Sequence, residues 1–82
     1  MKRVYRTIGV CAGAIEIDIE DGIIRGVRFV GGCDGNLKGI SILVENMRAE
    51  EAIKHLKGIT CGRKSTSCPD QLALALETMI GE

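Results

Sequence analysis

Aromatic side chains are nearly missing from this chain: Tyr5 and Phe29 are its only two, and tryptophan is absent. The core must therefore be built from Ile, Leu, Val and Ala, and nucleic-acid bases would find almost no ring to stack on. A basic surplus is missing as well. Lys and Arg number 11, Asp and Glu number 11, and no basic run occurs. Phosphate backbones require clustered positive charge, so nucleic acid is excluded as the main partner. No stretch approaches the roughly 18 apolar residues that cross a bilayer. The opening Met1-Lys2-Arg3-Val4-Tyr5-Arg6 has no apolar segment behind it, as a signal peptide requires. The expected setting is the cytoplasm, away from membranes. The single histidine, His55, stands beside Leu56 among basic neighbours and reads as a surface or boundary residue.

What the chain does have is four cysteines in 82 residues: Cys11, Cys33, Cys61 and Cys68. Each stands among residues that expose backbone, as in Gly31-Gly32-Cys33-Asp34-Gly35 and Ser67-Cys68-Pro69-Asp70. A core cysteine normally lies inside an apolar run. Residues 1–82 form one domain, near the size at which a core alone gives only a few kcal/mol. A staple would help such a chain. In a reducing cytosol a metal or a redox role outranks structural disulfides.

The pattern along the chain predicts three strands and then three helices. Residues 3–8 alternate weakly. From Ala14 to Glu20 the alternation is clear, with Ile15, Ile17 and Ile19 on one face and Glu16, Asp18 and Glu20 on the other. Asp21-Gly22 is a hairpin signal, and Ile23 to Val30 is the third strand. A three-residue loop is the preferred connection, pairing Ile15 with Val27 and placing Glu16 and Asp18 on the face of Arg28. Leu37, Ile40, Leu43, Val44 and Met47 then form a helical stripe that Asn46 interrupts. Ala49 to Lys57 is a short second helix, with Glu50 placed to pair with Lys54 and Gly58 as its stop. Pro69 to Ile80 is the third, capped by Ser67 or Cys68. The order βββααα predicts an α+β, two-layer domain with helices on one face of an antiparallel sheet.

This layout sends the cysteines toward one end. Cys33 and Cys68 stand at helix starts, where unpaired N–H groups and the helix dipole attract a thiolate; Arg63 and Lys64 add positive charge between Cys61 and Cys68. The spacing alone leaves three readings open: a shared metal site, separate buried thiols, or a redox pair of Cys61 and Cys68. No C-x-x-C knuckle is present. The Gly31–Gly35 loop lacks both the Walker lysine and the dinucleotide G-x-G-x-x-G patterns. Thr66 and Ser67 have no adjacent base to make a nucleophile of either.

Thr66-Ser67-Cys68-Pro69-Asp70 resembles the signature of the TSCPD domain family, and the likeness extends over Gly31–Asn36 and Thr60-Cys61-Gly62. The family also occurs toward the C-terminus of adenosylcobalamin-dependent (class II) ribonucleotide reductases. The resemblance implies a ribonucleoside-diphosphate-reductase connection, although this chain has no room for a radical barrel or a cobalamin site and is not expected to be catalytic alone. A more distant resemblance is to iron–sulfur cluster scaffold proteins of the NifU/IscU type. Cys11, Cys33 and Cys68 fall where those scaffolds carry cysteines. Gly13 replaces the scaffold aspartate, and Cys61 is an additional thiol. Four thiolates in place of three imply a tighter, closed site.

The resulting expectation is a metal-binding module with Cys11, Cys33, Cys61 and Cys68 as ligands. Zinc is placed ahead of an iron–sulfur cluster. The partner would be a ribonucleotide reductase or a redox or cluster protein, and a homodimer is allowed. The alternatives are a thiol–disulfide redox partner using Cys61 and Cys68, and a nucleotide-binding reductase-related protein.

Overall fold

Three strands precede three helices: β1 (Lys2–Arg6), β2 (Ala12–Glu20), β3 (Ile23–Gly31), α1 (Asp34–Val44), α2 (Ala49–Leu56) and α3 (Cys68–Ile80). The computed structural model describes residues 1–32 and 34–81. The strands form one antiparallel sheet in the order β1-β2-β3, so the expected α+β class holds. Among the described residues no helix is long and apolar enough to cross a membrane.

The β2–β3 register differs from the expected one. Glu20 pairs with Ile23 across a two-residue turn, and Asp21 and Gly22 both take positive φ, 53° and 76°. Paired positive φ values match the twist of a hairpin. A strict continuation from that turn would set Glu16 opposite Val27 and waste both faces. The sheet avoids this with a register shift between Asp18 and Ile19, after which Ile17 faces Val27, Glu16 faces Arg28 and Ile15 faces Phe29. An extra residue in one strand displaces the pairing and restores agreement between the faces. The predicted salt-bridged outer face survives, with Arg28 Nε 3.8 Å from Glu16 Oε1, by a route the sequence pattern did not suggest.

β1 also ends earlier than the alternation implied. It stops at Arg6, and Ile8, expected in the strand, is 77% exposed in the loop that follows. The Thr7 hydroxyl turns that loop by donating to the Ala12 carbonyl oxygen.

Burial segregates as the alternation predicts. Ile15, Ile17, Ile19 and Ile24 are buried on one sheet face, and Leu72, Leu76 and Met79 of α3 and Ala49 and Ala52 of α2 join them in one cluster. Phe29 and Tyr5 are only partly buried beside it. The core is thus aliphatic, as the scarcity of rings demands. α2 packs on α3, and α1 packs on β3. Asn46, at φ 69°, turns the chain out of α1, as its position suggested. Glu50 takes Arg48 at 3.9 Å rather than the expected Lys54, and His55 is an exposed partner of Glu51 at 3.6 Å.

Candidate metal and thiol site

The loop between α2 and α3 is short of regular structure and is held by side chains. Ser67 is the N-cap of α3: its Oγ accepts the Asp70 N–H at 3.2 Å and donates to the Ile59 carbonyl at 2.6 Å. Asp70, in the first turn, accepts the Gly58 N–H at 2.7 Å and the Thr66 hydroxyl at 2.6 Å. Gln71 donates from Nε2 to Thr66 Oγ1 at 3.0 Å and accepts the Ile8 N–H at 3.2 Å. Ser67, Asp70 and Gln71 are all buried, and no buried side-chain N or O among the described residues lacks a partner. Buried polar groups are costly unless satisfied, so a fully satisfied set fixes one geometry.

This clasp joins three segments: the β1–β2 loop through Ile8, the end of α2 through Gly58, and the start of α3. Each leads to a cysteine. The hydrogen bonds from Thr66 and then from the Gly58 N–H hold the Asp70 carboxyl below the ordinary aspartate range; burial pushes against them, and the charge of Lys57 adds a smaller lowering. Lys57 is itself fixed by Glu77 at 2.8 Å.

Beside the clasp is a cavity of about 330 Å³. Cys11, Cys61 and Cys68 line it together with Val10, Leu37 and Ile40, and Lys64 stands at its wall. Cys11 and Cys61 are exposed, Cys68 is half-buried, and all three are free thiols. Cys61 is held by its N–H to the Thr66 carbonyl at 3.2 Å, and its own carbonyl accepts the Lys64 N–H at 3.0 Å. Pro69 follows Cys68 in the first turn of α3, where its missing N–H removes nothing. Three of the four expected site residues therefore share one cavity. Cys33, the fourth, lies outside the described residues. Among the described residues no group of three or more His, Cys, Asp or Glu forms a cluster that could hold a metal ion.

The glycine-rich run before Cys33 has a steric explanation. Gly32 has φ +85°, and a Cβ there would stand 2.7 Å from Leu37 Cδ1 and 3.0 Å from the Ala12 nitrogen. Only glycine allows the end of β3 to lie against Ala12, the neighbour of Cys11. Close backbone approach, rather than a phosphate, accounts for this residue.

Asp70 and Gln71 escaped the sequence reading as site-forming residues. Both sat in view in the first turn of α3, but Gln71 finds its backbone partner 63 positions away and Asp70 finds its own 12 away. An acidic residue three positions after a serine was the available signal, because that is capping-box spacing.

The family model for the TSCPD domain matches residues 2–80 of the 82-residue chain. No curated protein and no solved structure matches it.

Proposed function

The chain belongs to the TSCPD domain family, and from that premise we propose that it is a small metal-binding module. Cys11, Cys33, Cys61 and Cys68 supply an all-thiolate site for zinc, with an iron–sulfur cluster as the second choice. The module is an accessory to ribonucleotide-reductase-type or iron–sulfur chemistry in the cytoplasm, with a reductase or a redox or cluster protein as its partner.

The observation that carries this reading is the convergence of Cys11, Cys61 and Cys68 on one cavity, unpaired, from segments up to 57 positions apart. The donor chemistry fits: sulfur ligands without competing carboxylates suit zinc or iron–sulfur centres. The three described thiols do not form an ion-holding group by themselves, so metal binding would draw the site closed and would need Cys33 as a further donor. A bound metal would tie together segments that the clasp only sets side by side, and its binding free energy would add to folding. The clasp holds the Cys61 loop and the start of α3; Lys64 supplies positive charge beside the sulfurs.

Metal analysis of protein purified without oxygen, with a visible spectrum and a thiol count, tests this. One zinc per chain with four protected thiols supports the structural site. Iron with sulfide and a visible chromophore moves the reading to a cluster. Metal-free protein with four freely titrating thiols overturns it.

The sharing of the cavity by Cys61 and Cys68 also favours a second reading, in which these two cycle between dithiol and disulfide with a partner protein's disulfide. The two readings separate on Cys11→Ser. That change should destabilise as much as Cys68→Ser if a metal is held, and should be nearly silent in a redox pair.

A further inference from the structure

α1 is apolar on two opposite faces. Leu37 and Val44 are buried and Ile40 packs beside the core, whereas Ile42 and Leu43 are 72% and 74% exposed. A surface helix of a self-sufficient domain keeps its outer face polar, and one apolar all round is normally buried. Gly35 and Gly39 lie on the same outer side, and a Cβ at either would meet nothing within 4 Å. Nothing inside the chain requires glycine there, and each weakens the helix.

At 3.6 residues per turn, Ile42 is central on the outward face. Gly35, Gly39 and Leu43 fall on one flank of it, and Lys38 and Glu45, in the turn just after the helix, fall on the other. Two such helices packed antiparallel about a two-fold axis keep like flanks together. With the axis near Ser41 and Ile42, Ile42 meets Ile42 of the other copy. Leu43 of each copy lies over Gly39 of the other, where no side chain stands in the way. On the opposite flank, Lys38 of each copy meets Glu45 of the other. The face is therefore self-complementary in shape and in charge, as an isologous contact requires.

From this we infer that a second copy of the chain docks on α1, forming a symmetric dimer through Gly39, Ile42 and Leu43 with Lys38 and Glu45 as its charged pairs. The groove of about 540 Å³ between α1 and β3, lined in part by Phe29, Ile42 and Glu45, continues the apolar surface. One helical face buries less than the ~800 Å² per partner of a standard interface. Association is accordingly weak and depends on concentration.

Sedimentation equilibrium of the full chain, in reductant so that no intermolecular disulfide contributes, provides the test. The expected result is a mass rising with concentration from 8.8 kDa toward twice that value. Leu43→Glu and Gly39→Leu should each hold the protein at monomer mass with an unchanged circular dichroism spectrum, since both positions are open to solvent in a single chain. Lys38→Glu and Glu45→Lys should each weaken association about tenfold, and the two together should restore it; this pair decides the matter even if Leu43→Glu misfolds. A monomer at every concentration overturns the proposal. So does a dimer that Leu43→Glu and Gly39→Leu leave intact, which would place the partner copy or another protein on a different surface.

Discussion

α3 and α1 both begin beside a cysteine, and they are secured in opposite ways. Cys68 is the first residue of α3, where Ser67 caps the backbone, Pro69 presets the first turn, and Asp70 and Gln71 bind two distant loops. Five apolar residues of α3 are buried behind them, Leu72, Ala73, Ala75, Leu76 and Met79, with Ala52 of α2 in the same core. α1 follows Cys33 directly. It carries glycine at positions 35 and 39 and turns two large aliphatic residues to solvent. One helix is determined several times over by its own chain, and the other has apolar surface left for something else. The lesson concerns the thiols as much as the helices. Cys61 and Cys68 stand on the side that the clasp fixes through Ser67 and Asp70.

The largest effect that can break this comparison is a matched pair of truncations. Leu76 is fully buried in α3, and Leu76→Ala should cost about 2–5 kcal/mol through lost transfer energy and an unfilled cavity. Leu43→Ala in α1 should stay within about 0.5 kcal/mol in dilute solution, where only single chains are present. Urea unfolding of both variants checks the pair. Equal losses would mean that α1 is as firmly built into the domain as α3 is.

A smaller effect comes from the clasp. Asp70→Asn replaces an acceptor of two hydrogen bonds by a group with one carbonyl oxygen, and should cost about 1–3 kcal/mol. The pH dependence has a defined sign. The folded carboxyl titrates below its ordinary value, so its contribution is fully present above the unfolded pKa and is lost as pH falls through the folded one. Thermal melts of the parent chain should therefore decline on acidification below the ordinary aspartate range. Melts of Asp70→Asn should start lower and lose that part of the slope. A variant with an unaltered acid slope would show that Asp70 is not the group responsible.

The same contrast explains what could be read from the sequence. α3 was legible because its signals are local: Ser67, Pro69 and the spacing of Leu72, Leu76 and Met79 lie within a few turns of one another. The strands were legible as elements, since Ile15, Ile17 and Ile19 alternate with charged residues. Their register was not, because an irregularity at Asp18/Ile19 leaves no residue-level mark, and only pairing across the sheet reveals it. Ile8 looked like a strand residue because alternation carries no stop signal of its own. The nearness of Cys11, Cys61 and Cys68 was suggested by topology. The hydrogen bonds that produce it join Gln71 to Ile8 and Asp70 to Gly58, and such pairings have no periodic signature. α1 yielded its stripe, read from Leu37 to Met47, but the helix ends at Val44 and the same stripe included Leu43, which the structure places outside.

The smallest effect is also the one that sharpens the contrast most, because its sign depends on concentration. Gly39 sits inside α1 with open space where a Cβ would be. In single chains Gly39→Ala should therefore stabilise by up to about 1 kcal/mol, through helix propensity and a less flexible unfolded state. Nothing in the domain opposes the added methyl group. At concentrations where two copies pack through α1, that methyl group occupies the space over which Leu43 of the other copy lies. The gain in melting temperature should then shrink or reverse. Melting curves of Gly39→Ala and the parent chain, taken dilute and concentrated, measure both terms. A gain that persists unchanged at high concentration would mean that Gly39 makes no close approach to a partner, and the outer face of α1 would have to be explained without one.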